Sequence, residues 1–236
     1  MSAPACSRAV VAAAGLGLAA WAAAAPVPDT LAERTRPCTA CHGEQGRATR
    51  DGFFPRIAGK PAGYLFNQLV NFRDGRRANQ AMTFLVKDLT DAYLLEMAGH
   101  FAALDLPYPP AVPVRSAAEA ARGEALALRG DPARRLPACT ACHGERLTGV
   151  LPAVPGLLGL PRDYLVGQLG AWRTGQRRAA EPDCMAELAQ RLTGDDLVAL
   201  ATWLAARPLP SDAKPAAALP EPLPMRCGSQ PPAAAR

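Results

Sequence analysis

The chain has 236 residues, enough for one large domain or two small ones, and 26 basic against 21 acidic side chains leave it a net charge of +5. So mild an excess, with aromatics at only 6%, excludes the strongly basic, aromatic-laced face that nucleic-acid binding demands. Ala, Leu, Arg and Glu dominate, while Val, Ile, Thr and Tyr are sparse and never alternate over a strand's length, which predicts an all-α protein.

Residues 1–25 read as an export signal. Arg8 precedes an apolar run from Ala9, and Ala23, Ala24 and Ala25 supply a small-residue cleavage site. The other reading of this segment is an uncleaved membrane anchor. Cys6 lies ahead of the apolar run and leaves with the signal, and no later stretch is apolar enough to cross a bilayer. The cysteines that remain are Cys38, Cys41, Cys139, Cys142, Cys184 and Cys227.

The next elements occur twice. CTACHGE runs from Cys38 to Glu44 and again from Cys139 to Glu145. PRIAGKPAGYLFNQLVNFRDGRR (Pro55 to Arg77) parallels PGLLGLPRDYLVGQLGAWRTGQRR (Pro155 to Arg178). Their spacing predicts helices from about Gly63 to Asp74 and from Arg162 to Thr174, with Gly75 and Gly175 as C-terminal caps. Further helices are expected after Thr90 and Thr193, N-caps followed by acidic residues. LPYPPAVPV, from Leu106 to Val114, reads as a linker, and from Pro208 the Pro/Ala-rich chain predicts an extended or disordered tail. The chain therefore divides into a signal (1–25), a first domain with its linker (26–112), a second domain (113–208) and a tail (209–236). Each unit carries a full set of elements, which means tandem domains and not a solenoid.

C-x-x-C-H is the attachment signature of c-type haem. Cys38 and Cys41, like Cys139 and Cys142, are spaced to bond one edge of a porphyrin as thioethers, with His42 or His143 beneath the iron as proximal ligand. A zinc ribbon needs its two C-x-x-C elements far closer together, and a thioredoxin-like pair needs a βαβ context that is missing. Plain disulfides between neighbours leave the repeated histidine unexplained. Two covalently bound haem c groups are the expected cofactors.

Met82 and Met185 lie in the irregular stretch between the two helices of each half, and are the expected sixth ligands. The alternative for each is a core methionine. A His/Met pair makes a high-potential, electron-transferring haem with no open position for substrate. Met97 falls inside the last helix at a position matched by Leu200, and His100 aligns with Trp203, so both are expected to pack. The clusters Arg73, Arg76, Arg77 and Arg173, Arg177, Arg178 are open to three roles: haem propionates, an acidic partner, or a solvated helix end. Cys184 and Cys227 are either a disulfide tying the tail beside Met185 or a pair of free or intermolecularly bonded thiols.

The doubled CTACHGE, the P-x-x-x-G and YL-x-x-QL-x-x-(F/W)R-x-G-x-R segments, the two methionines and the closing amphipathic helices resemble tandem class I cytochromes c. Within them the chain is similar to the dihaem cytochrome c-four group, over roughly Cys38 to Arg207. The resemblance implies two small helical domains, each around one haem, in a periplasmic Gram-negative protein that carries electrons and is not an enzyme. It implies redox partners such as an oxidase, a dehydrogenase or a quinol-oxidising complex, with membrane contact only by association or through an uncleaved signal. A haem-bearing subunit of a dehydrogenase or oxidase complex is the alternative function. A dihaem peroxidase is a further one, opposed by the methionine in each half. The first half departs from the pattern: only PDTLAERTRPC precedes its haem motif, with no counterpart of Gly123. A short or altered first helix and a more exposed first haem are expected from that.

Overall fold

A computed structural model describes residues 27–49, 52–111, 113 and 116–230. The signal segment lies outside them. Among the described residues no helix is long and apolar enough to cross a membrane.

In the first half, α1 (Leu31–His42) starts at Thr30, whose side chain accepts from the Glu33 backbone N–H. It runs through Pro37 and the haem motif without a break, and ends at Gly43 with φ of 76°. Arg34 ties it to Asp29 and to Glu96 of the closing helix. α2 (Ala62–Arg73), α3 (Gln80–Val86) and α4 (Asp91–Ala102) follow. Leu65, Ala98 and Phe101 form one small core, and Phe72, Val86 and Leu94 another.

The second half separates what α1 merges. α5 (Ala117–Arg129) is a full N-terminal helix, and the haem motif has its own short helix α6 (Thr140–His143). The two-residue strands β1 (Gly149–Val150) and β2 (Val154–Pro155) pair antiparallel, Gly149 opposite Pro155, a minimal hairpin absent from the sequence reading. α7 (Arg162–Arg173), α8 (Cys184–Arg191) and α9 (Gly194–Ala206) complete it. α5 crosses α9 at Gly123, where an added Cβ would lie 2.1 Å from the Ala199 carbonyl oxygen. One larger core, including Leu126, Leu165, Leu200 and Trp203, fills this half. The helices predicted from Gly63 and Arg162, and those after Thr90 and Thr193, all form within a residue or so of expectation.

The halves meet face to face. Arg77 and Arg177 form an antiparallel bridge, with the Ala78 N–H on the Gln176 carbonyl at 2.9 Å and the Arg178 N–H on the Arg76 carbonyl at 2.6 Å. The linker is held down: the Arg56 guanidinium donates to the carbonyls of Leu106 (2.6 Å) and Pro107 (2.9 Å) and lies over Tyr108.

The tail is extended, as its proline content requires, but it is packed and not free. Ala216 exchanges backbone bonds with Gly149 and Leu151, and Asn67 donates to the Ser229 carbonyl. A disulfide joins Cys184 to Cys227.

Candidate haem sites

Each haem-motif histidine sits at a helix end whose following glycine turns the chain away at positive φ, 76° at Gly43 and 82° at Gly144. His42 and His143 are both 8% exposed. The Nδ1 of His42 lies 2.8 Å from the Pro55 carbonyl oxygen, and that of His143 lies 2.7 Å from the Pro155 carbonyl. A carbonyl can only accept, so Nδ1 carries the proton and Nε2 keeps its lone pair free for a metal. Burial pushes both imidazoles below their ordinary pKa and keeps them neutral, the form that ligates. The two prolines are the repeated P of P-x-x-x-G, so that motif is legible as the orienting partner of the histidine.

Cys38, Cys41, Cys139 and Cys142 are in no disulfide. Burial pushes the Cys38 thiol up to about 11 and that of Cys139 up to about 12, so both remain protonated thiols at neutral pH. All four, with both histidines, line a continuous apolar-walled cavity of about 560 Å³ that spans the two halves. Met82 and Met185 line it too. They are not in irregular chain, as the sequence suggested, but in the first turns of α3 and α8. Asn79 and Asp183 cap those helices, accepting from the N–H groups of Met82 and Ala186, and these two residues are the sequence signal for the helices. Met97 is 5% exposed on α4 and reaches the same wall, as does Met225 of the tail, a residue to which the sequence reading gave no role. His100 does not line the cavity; it stacks edge-on against Phe101.

Of the six clustered arginines, Arg77 and Arg177 reach the cavity. Each donates to both Gln68 and Gln168, at 2.6 to 3.0 Å. Arg177 lies over Trp172 and Arg77 over Phe72. Two adjacent guanidiniums served only by amide and phenol oxygens are electrostatically uncompensated. Trp172 adds a buried indole N–H with no hydrogen-bond partner among the described residues. An unmet indole donor and two uncompensated positive charges beside an apolar cavity, with thiols and a metal-ready imidazole on its wall, fit a haem: a flat apolar ring, a central metal and two carboxylates.

No family profile matches the chain. It is 40% identical over 202 residues to a thiosulfate dehydrogenase electron acceptor from Thiomonas intermedia, covering 86% of this chain and 92% of that one. It is 32% identical to a cytochrome c4 from Pseudomonas aeruginosa over 80% of this chain and 92% of the relative. The chain belongs to the cytochrome c4 family. Like those relatives it is a dihaem electron-transfer cytochrome with covalently bound haem, a carrier and not an enzyme. The crystal structure of cytochrome c4 from Pseudomonas stutzeri superposes with a TM-score of 0.65 at 29% identity, covering 75% of this chain and 96% of that one. Thiosulfate dehydrogenase from Marichromatium purpuratum also gives 0.65, at 36% identity over 73% of this chain. There the match spans only 36% of the longer polypeptide.

The two sites of this cytochrome c4 differ. Cys41 is exposed where Cys142 is half-buried, and α3 turns Phe84 outward, 71% exposed. Leu223, Met225, Cys227 and Ser229 of the tail line the cavity, and the Cys184–Cys227 disulfide anchors the tail beside Met185 of the second half.

Proposed function

We propose that Cys38 and Cys41 hold one haem and Cys139 and Cys142 the other, with His42 and Met82, and His143 and Met185, as axial ligands. The observation that carries this is the repeated pairing of a carbonyl-bound histidine with a methionine on the wall of one shared cavity. The haem supplies a one-electron couple that gains and loses charge without breaking bonds. The protein's part is to fix the imidazole through Pro55 or Pro155, exclude water with Leu65, Leu165 and their neighbours, and set carboxylate-binding donors between the halves. With both axial positions filled by protein, substrate has no entry, which suits a carrier.

The reading extends to the division into domains at 26–112 and 113–208 with a tail at 209–236, and to export by residues 1–25 into the periplasm of a Gram-negative bacterium. The proposed electron donor is a dehydrogenase that oxidises a reduced sulfur anion, since one relative is named as an acceptor for thiosulfate dehydrogenase. An oxidase or a quinol-oxidising complex would complete the chain at the other end. A tightly held subunit is the second reading, favoured by the match to part of a longer dehydrogenase polypeptide.

Two measurements test these assignments. The oxidised holoprotein should show the weak near-infrared methionine-to-iron band, and Met82→Ala and Met185→Ala should each remove about half of it and admit cyanide at one haem. An undiminished band in either variant sinks that ligand. Thiosulfate should reduce the haems only when its dehydrogenase is added, whereas reduction at the same rate without the enzyme would overturn the partner assignment. Size-exclusion of the native protein separates free carrier from subunit.

A further inference from the structure

Lys60 is a buried cation that the carrier reading does not use. It precedes Pro61, the N-cap of α2, and is 4% exposed. The chain's other lysines pair with carboxylates on the surface, Lys87 with Asp88 and Lys214 with Asp105. Lys60 has no such partner among the described residues. Its ammonium donates to the Gly156 carbonyl at 3.3 Å and stands 5.8 Å from the ring centre of Tyr108. The charge that acts on it is that of another cation, Arg56, which shares the Tyr108 ring with it. Burial, helped by Arg56, pulls the Lys60 ammonium down to about 8, which still leaves it charged at neutral pH.

The position of this charge is asymmetric. Lys60 belongs to the first half, but Gly156 belongs to the second and follows Pro155, whose carbonyl holds the His143 ring. Lys60 lines the cavity, and its charge is felt at His143. The cation that acts on His42 is Arg77, from its own half, and Arg77 has a counterpart in Arg177; Lys60 has none at its repeat-matched position. At the repeat-matched positions the second half has Leu160 in place of Lys60 and Gly156 in place of Arg56, and Leu160 is packed in the core. The Arg77/Arg177 pair crosses both ways, but at this position the first half supplies a cation and the second half only a leucine.

We infer that Lys60 acts across the domain boundary to raise the reduction potential of the haem held by Cys139, Cys142 and His143, so that a transferred electron comes to rest in the second half. The sign follows from charge: reduction adds one electron, and a buried cation nearby stabilises the less positive reduced state. The electron leaves the partner or the first haem, which is oxidised in turn, and no proton moves. Lys60 touches neither iron ligand, so it is a positioning residue, and the inference rests on the haem assignment proposed above.

The test is a spectroelectrochemical titration at pH 7 of the full-length dihaem protein as wild type, Lys60→Gln, Lys60→Met and Lys60→Arg. Ring-labelled histidine, of which the chain has three, lets NMR follow His42 and His143 separately. Lys60→Gln keeps a donor for Gly156 and drops the charge; Lys60→Arg keeps both. Both neutral variants should shift the electron's distribution about tenfold toward the first haem, a fall of about 59 mV at the second. The first potential should stay in place, and Lys60→Arg should retain the wild-type value. Unmoved potentials in Lys60→Gln and Lys60→Met, or an equal fall at both haems, would overturn the inference. A His143 signal that never senses an iron would overturn the haem assignment and this inference with it.

Discussion

Asp196 shows how one side chain can fix an element. It is 2% exposed in the first turn of α9, where its carboxylate meets Arg122 at 2.9 Å, Arg134 at 2.6 Å and the Thr193 backbone N–H at 3.0 Å. Burial alone would raise its pKa, but Arg134, Thr193 and Arg122 outweigh it and hold the carboxyl well below the usual range. A depressed folded-state pKa contributes stability above the unfolded value near 4, and loses it as pH falls through that value toward the folded pKa. Asp196→Asn should therefore cost about 3 kcal/mol at pH 7, with the gap from wild type narrowing below about pH 4. Urea unfolding across that range reads it; parallel stability curves for the two proteins would sink the account. At this scale the sequence was most informative where chemistry demands a fixed spacing. Both C-x-x-C-H motifs, the Thr90 and Thr193 caps and the glycines after the paired helices are all where the residues put them. Gln68, Gln168 and Trp172 were not legible as cavity residues, because amides and an indole carry meaning only once a second half stands opposite.

At the scale of elements, the two halves solve the same packing problem differently. In the second, α5 can approach α9 only because Gly123 has no side chain. Gly123→Ala should destabilise by more than about 3 kcal/mol, since the clash is with backbone that cannot move aside. Gly99→Ala, in the corresponding closing helix of the first half, meets nothing within 4 Å and should stabilise by up to about 1 kcal/mol. Thermal melts of the two variants should move in opposite directions; a shared direction would mean that helix propensity, not crossing distance, governs both. The short preceding segment of the first half was legible as a departure from the repeat. Its outcome, one helix running from Leu31 through the motif to His42, was not, because Pro37 is compatible with a first turn as well as a break. The tail's composition gave its extended backbone but could not say what it covers. The Cys184–Cys227 link does: it closes 43 residues and contributes up to about 4 kcal/mol in the loop-entropy account. Replacing both cysteines by serine should lower stability by no more than that, and should speed entry of an external ligand at the second haem alone. Equal access at both haems would show that the tail is not its cover.

At the scale of the whole molecule, the cavity passes from half to half beside a polar seam of Arg77, Arg177, Gln68 and Gln168. Arg77 and Arg177 repel one another, and the bonds that each makes to both glutamines offset part of that cost. Gln68 and Gln168 therefore act as shared acceptors that let two like charges sit side by side, one from each half. The seam is symmetric, while Lys60 and the tail are not, so docking and redox asymmetry are carried by different residues. Replacing both glutamines by leucine removes the acceptors, keeps the volume close and leaves the two guanidiniums facing each other. Buried donors stripped of partners cost about 1–3 kcal/mol each, and two of the four lost bonds, Arg77 to Gln168 and Arg177 to Gln68, are ones that join the halves. The wild-type dihaem protein should then unfold in one calorimetric transition, and Gln68→Leu/Gln168→Leu in two, the smaller-cored first half melting earlier. A single transition at the wild-type temperature in the double variant would mean that the halves are coupled elsewhere, through the Arg56-bound linker and the Lys60 contact.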